Sequence, residues 1–240
     1  PLEFMFGSLL GATLVATLGT VRLEAHFESL CKQCQVHVAA LQDDVFHAGL
    51  ELDDAEVWAA TNFTIDYYGT IPANGTCEEA ALGTEHGPDQ CVTDRYHLCA
   101  QSIDKAIWFD YVHCMMMNID QLKCHRNSHC ATREQFFKAL SLVHPMCSAL
   151  TGADAEAIES CAQSVDVIEL QRASYERTKQ RLQFGFAPIF VDGNYLDADR
   201  FWRKTPDGTF YGSTVLNAVC GSAAKRSSTG ANSEPKGCTV

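Results

Sequence analysis

The residues best suited to chemistry are Cys31-Lys32-Gln33-Cys34. They follow an alternating run, Val21 to Phe27, that has the period of a half-buried strand. They lead into Val36, Val38, Ala39, Ala40, Leu41, Val45 and Phe46, which suit a helix with one broad apolar face. A thiol at a helix start meets unpaired backbone N–H groups and the positive end of the helix, and both favour its thiolate. Lys32 adds a neighbouring positive charge. Cys34, three residues on, shares that side of the helix and can close a disulfide that releases a mixed-disulfide partner. The spacing therefore points to thiol–disulfide exchange, with Cys31 as nucleophile and Cys34 as resolving thiol. A structural disulfide or half of a zinc site uses the same spacing, but neither explains the place between strand and helix.

The elements around the pair give the architecture. Residues 60–68 read as a second strand ended by Gly69 and Pro72, so the opening is a βαβ unit. Residues 70–98 read as loop, with Gly75, Gly83, Gly87 and Pro88. A helical region follows: Ala100, Ile103, Ile107, Tyr111, Cys114 and Met115 share one face. Phe136, Phe137, Leu140 and Val143 share another, with Pro145 expected to end that helix. Asp154 is placed to cap the next helix, a polar helix fills 166–182, and Met115 to Met117 read as core filler. Residues 187–196 read as two short strands around Asp192-Gly193, and Leu216, Ala218 and Val219 suit a last helix. The composite is an α/β (α+β) chain of thioredoxin-like fold with a central helical insertion at about 100–182. It forms one domain over 21–240, after a signal-like or vector-derived segment at 1–20.

In that fold Pro188 is the companion of the pair. A proline entering the late strand pair stands opposite the CxxC, where thioredoxin-like proteins carry a cis-proline. Its missing N–H and the exposed backbone of Ala187 would let a substrate strand approach the sulfur. The Ala187–Pro188 bond is accordingly expected to be cis and to lie against the cysteines, an ordinary trans turn proline being the alternative.

Bulk properties narrow the setting. A formal net charge of -12 and the lack of a basic tract exclude a nucleic-acid footprint and disfavour an anionic membrane surface. Twelve cysteines in 240 residues point to an oxidising or acidic compartment rather than a reducing cytosol. Asn62-Phe63-Thr64 and Asn74-Gly75-Thr76 are glycosylation sequons, making Asn62 and Asn74 candidate acceptors. Residues 5–19 are apolar and rich in small residues, as in a signal h-region, though without a basic start; an ordered strand or helix is the alternative. The run is too short for a membrane-spanning helix, so no stable insertion of the mature chain is expected.

From about residue 21 to residue 238 the chain resembles the gamma-interferon-inducible lysosomal thiol reductases (GILT). The strand into CxxC, the Asn62 sequon, the Pro188 strand and the late cysteines carry the resemblance. The family's characteristic stretch is C-Q-H-G-x-x-E-C-x-x-N-x-x-x-x-C. Residues 84–99 keep His86, Gly87, Cys91 and Cys99 but have Thr84, Glu85, Gln90 and Asp94 at the Cys, Gln, Glu and Asn positions. Cys77 is the candidate to replace the missing cysteine as partner of Cys91; otherwise the loop beside the active site is looser. The resemblance implies reduction of disulfide-bonded protein substrates in a lysosomal, endosomal or secreted setting, at acid pH. An external small thiol would recharge the pair, with no cofactor and no metal. His86 is a candidate for proton transfer, or a structural histidine of that loop.

Apart from Cys31 and Cys34, ten cysteines remain, and sequence does not determine their pairing. Cys220–Cys238, pinning the tail, and Cys124–Cys130 are the favoured pairs. The latter segment also holds His125 and His129, a Cys2His2 composition, but so tight a loop would strain to wrap four ligands around one zinc ion. Two rival readings stand beside the reductase. One is a glycoprotein of the same fold that binds other proteins without redox turnover. The other is an oxidase or isomerase using the same sulfurs at a different potential.

Overall fold

The computed structural model describes residues 20–46, 54–71, 75–77, 86–124, 130–184, 187–196, 212–227 and 238. The segment at 1–19 therefore lies outside the described residues, as do Asn74, His125 and His129.

Four strands form one sheet: β1 (Val21–Phe27), β2 (Thr61–Tyr67), β3 (Ile189–Val191) and β4 (Asn194–Leu196), in the order β2-β1-β3-β4. β1 and β2 run parallel from Val21 opposite Thr61 to Phe27 opposite Tyr67. β3 is antiparallel to β1, with Ala25 opposite Ile189, and β4 turns back antiparallel to β3. Asp192 and Gly193 have φ of 50° and 80°, the left-handed pair that a two-residue hairpin with matching twist requires. This order, with only β3 reversed, is the thioredoxin-like sheet.

The alternation in β1 distributes its residues between two helical layers. Val21, Leu23, Ala25 and Phe27 are buried on one face, where Phe27 meets His37 of α1 (Lys32–Leu41). That face also packs against α9 (Gly212–Ser227). His26 and Glu24 point to the other face, covered by α8 (Asp166–Lys179). His26 Nδ1 lies 3.0 Å from Thr178 Oγ1, and Asp66 of β2 holds Arg177 through two bonds of 2.8 and 2.7 Å. After α1 a π-helical turn (Gln42–Phe46) and α2 (Asp54–Ala59) lead to β2. Phe46, Trp58 and Phe63 join Trp108 and Phe109 in one aromatic cluster that docks the insertion on the sheet.

The insertion consists of α3 (Gly87–Ile103), α4 (Trp108–Met117), α5 (Ile119–Leu122), α6 (Arg133–Thr151), α7 (Ala155–Gln163) and α8. It starts earlier than the expected residue 100, because the stretch from Gly87 is helix rather than loop. Pro88 sits in the first turn, where its missing N–H costs nothing. The face expected to run from Ala100 to Met115 is divided between α3 and α4, and Ile103 is exposed. Pro145 does not end α6. Its exposed ring faces outward while Val143, His144, Cys147 and Ser148 are buried around it, and Gly152 (φ 81°) closes the helix. Packing of that stripe outweighs the one lost backbone hydrogen bond. As expected, Asp154 accepts from the Ala157 N–H at 3.0 Å to cap α7, and Met115 and Met116 are core. Among the described residues no helix is long and apolar enough to cross a membrane.

Candidate active site

Cys31 is the N-cap of α1. Its backbone is extended (φ -89°, ψ 123°), and its Sγ accepts the Cys34 N–H at 3.3 Å, so sulfur occupies the place an Asp or Ser oxygen usually takes. The turn before it is closed by Cys31 N–H donating to Glu28 O at 3.1 Å. Cys34 lies one turn inside the helix and is fully buried, whereas Cys31 retains 5% exposure. Both are free thiols. The Glu28 N–H reaches Cys34 Sγ at 3.4 Å, so the 28–34 segment wraps both sulfurs in its own backbone donors.

Their acidities diverge. A hydrogen bond from the Cys34 thiol, then the His86 imidazole and the Cys34 and Gln33 amides, bring the Cys31 pKa down to about 5 against the opposing effect of burial. Burial, followed by hydrogen bonding and charge interaction with Cys31, pushes the Cys34 pKa well up. The charge of Lys32, expected to assist, is turned elsewhere: its ammonium pairs with Asp120 and reaches Gln35 Oε1 at 3.4 Å. Backbone donors and His86 take the part expected of Lys32.

His86 stands at the start of α3, its Nε2 3.6 Å from Glu28 Oε2. Ligating atoms of Glu28, Cys31 and His86 all lie within 4.8 Å of one another, the group among the described residues best arranged to hold a metal ion. Glu28 carries no motif in the sequence; only the turn into Cys31 buries its carboxylate. Behind the cluster, Ser29 Oγ donates to Gln90 O at 3.4 Å and Gln90 Nε2 donates to Tyr68 O at 2.8 Å, tying the CxxC turn to α3 and β2. Asp94, also on α3, is fully buried. Its pKa rises to about 7 through burial, which outweighs hydrogen bonds from Ser29, Tyr175 and Gln90.

Pro188 O accepts the His26 N–H at 3.1 Å, extending the β1–β3 ladder toward the end of β1 from which the CxxC turn departs. The expected cis bond is absent: no described peptide bond is cis, so Ala187–Pro188 is trans. The change of direction is taken at Ala187 instead, which is buried and left-handed (φ 52°), a strained backbone for a residue with a Cβ. Asn62 is exposed on β2. Disulfides join Cys77 to Cys91, Cys124 to Cys130 and Cys220 to Cys238. Two more, Cys99–Cys161 and Cys114–Cys147, cross between helices, and no spacing in the sequence announces them.

A reduced CxxC with one acidic and one buried thiol, on a thioredoxin-like sheet, accords with the family comparison. Residues 22–135 match the model of the family described as gamma interferon inducible lysosomal thiol reductase (GILT). Over those residues the chain is similar to that family. The match takes in the CxxC, the altered stretch at 84–99 and half of the insertion; Pro188 lies beyond it. No protein with a curated description matches the chain. Among solved structures, the chain is similar to the oxidoreductase NmDsbA1 from N. meningitidis (10% identity, 89% of this chain and 87% of that one, TM-score 0.49). It is similar also to a single-substitution variant of Pseudomonas aeruginosa DsbA (16%, 89% and 91%, 0.48) and to the cytosolic disulfide reductase DsbM from the same organism, with GSH (13%, 81% and 96%, 0.45). The strand order β2-β1-β3-β4, with β3 alone reversed, is what makes the sheet thioredoxin-like. The GILT match supports thiol–disulfide oxidoreductase chemistry.

Proposed function

We propose that the protein is a disulfide reductase acting on protein disulfides at acid pH. Cys31 attacks one sulfur of the substrate disulfide as a thiolate, and the other substrate sulfur leaves and takes up a proton. Cys34 then loses its proton and attacks Cys31 Sγ, freeing the reduced substrate and leaving a Cys31–Cys34 disulfide. An external small thiol reduces that disulfide and is itself oxidised. The observation that carries this reading is the divergence of the two sulfurs: the more exposed thiol has a pKa near 5, and the fully buried one beside it is held protonated. At pH 5 about half of Cys31 is thiolate, against roughly one in three thousand for an ordinary thiol of pKa about 8.5. Ala187 and Pro188 would present backbone to the substrate beside the end of β1, and His86 would assist Cys31 through its hydrogen bond. A lysosomal, endosomal or secreted location, with glycans on Asn62 and Asn74, fits the cysteine content and the acid-active thiol.

The same depressed pKa favours a second direction. A stabilised thiolate stabilises the reduced pair and makes the disulfide a better oxidant. Turnover of a fluorogenic disulfide substrate at pH 5 and 7.5 separates the readings. We expect turnover that persists at pH 5 and is abolished in Cys31→Ser. Oxidation of reduced test proteins without reduction of the fluorogenic substrate would select the oxidase. No redox activity at either pH would select the binding protein.

A further inference from the structure

We propose that Glu28, Cys31 and His86 form a redox-gated site for a divalent, borderline-soft cation, with Zn²⁺ the fitting ion. It is open when the cysteine pair is reduced and closed when Cys31 is tied to Cys34. The three groups come from separate places, the end of the β1 turn, the N-cap of α1 and the start of α3, and converge with one ligating atom of each within 4.8 Å of the other two. The one separation resolved between them, His86 Nε2 to Glu28 Oε2, is 3.6 Å. Metal–ligand bonds of about 2.0–2.3 Å in a tetrahedron put ligand atoms roughly 3.3–3.7 Å apart, so small side-chain adjustments suffice. One sulfur, one imidazole nitrogen and one carboxylate oxygen suit zinc rather than magnesium or calcium. A thiolate and a carboxylate also bring two negative charges, which a divalent ion cancels in a site where Glu28 and Cys31 are both buried. Three protein ligands leave a fourth position for water.

The gating follows from the sulfur. A Cys31–Cys34 disulfide has no thiolate to offer, so oxidation removes one ligand of three. In the other direction, a metal ion on Cys31 Sγ occupies the electron pair that would attack a substrate disulfide. Binding stands on geometry alone; the consequence, inhibition by zinc, rests on the reductase reading above.

Cobalt(II) alone serves as the probe, because thiolate ligation gives a near-ultraviolet charge-transfer band. Reduced wild type and reduced Cys34→Ser should each bind one ion with that band, and oxidised wild type and Cys31→Ser should not show it. His86→Ala and Glu28→Gln, each checked for folding by circular dichroism, should bind at least about tenfold more weakly. Absence of the band in reduced wild type would overturn the proposal. So would its loss in Cys34→Ser, or undiminished affinity in both His86→Ala and Glu28→Gln, since each means the cysteine pair alone holds the ion. The spectrum is independent of turnover: a band without reductase activity leaves the site standing and sinks the reductase, and turnover without a band does the reverse.

Discussion

The helical insertion and the sheet treat cysteine in opposite ways. Cys99–Cys161 and Cys114–Cys147 staple α3 to α7 and α4 to α6, with Cys77–Cys91 and Cys124–Cys130 at the edges of the same region. The unit of β1, α1 and β2 holds only the free pair, Cys31 and Cys34. Burial does not explain the contrast, since Cys99, Cys147 and Cys34 are alike inaccessible. What sets the pair apart is a backbone that aims N–H groups at both sulfurs. One segment of chain thus builds a thiolate, while its neighbours use sulfur as a cross-link. The rest of the insertion holds α3 in place, and α3, with His86 at its N-cap, brings Gln90 and Asp94 around the CxxC turn.

Removing the reactive sulfurs should have the largest effect. Cys31→Ser should abolish turnover. Cys34→Ser should accumulate a mixed disulfide with a protein substrate on non-reducing gels, because attack proceeds and resolution cannot. Trapping through Cys34 in Cys31→Ser would reverse the roles.

Removing staples should cost stability and spare chemistry. Loop-closure entropy gives about 4 kcal/mol for the 62-residue separation of Cys99–Cys161 and about 2 kcal/mol for the 6-residue separation of Cys124–Cys130. Paired Cys→Ala variants, unfolded in denaturant, should show that order while their turnover at 25 °C stays near wild type. Equal losses of stability, or loss of turnover in a folded variant, would erase the contrast.

Asp94 sharpens the link between the regions. Its folded pKa of about 7 lies above its ordinary value of 3.8, so the folded state holds a proton that the unfolded chain releases. Stability from this group is therefore fullest below about pH 4 and is lost as pH rises through 7. In the oxidised protein, where Cys31 does not titrate, Asp94→Asn should flatten the fall in denaturation midpoint between pH 5 and 8. An unchanged slope would show that Asp94 is not its source. His86→Ala should have the smallest effect, raising the Cys31 pKa by about one unit, because the Cys34 thiol and two amides remain as donors.

How much of this was legible in the sequence depended on where periodicity follows burial. β1, α1 and the hairpin at Asp192-Gly193 were readable because their buried positions, His26 and His37 apart, are apolar and their turn residues specific. The start of α3 was not: beside Cys91 and Tyr96 its buried side chains are Asp89, Gln90, Thr93, Asp94 and His97, so a buried helical face looks mostly polar, and Gly87-Pro88 looks like loop punctuation. The CxxC was evident from its spacing. Glu28 was not, because a lone carboxylate six residues before Cys34 acquires meaning only when the turn folds it inward. Placement alone pointed to the wrong isomer at Ala187–Pro188, because the left-handed Ala187 redirects the chain by another route.

The most direct test of the divergence of the two sulfurs is the pH dependence of iodoacetamide alkylation of the reduced protein, resolved by mass spectrometry. Cys31 should react with an inflection near pH 5 while Cys34 stays unmodified through pH 8. An inflection at Cys31 near the ordinary thiol value of about 8.5, or modification of Cys34 first, would contradict the account.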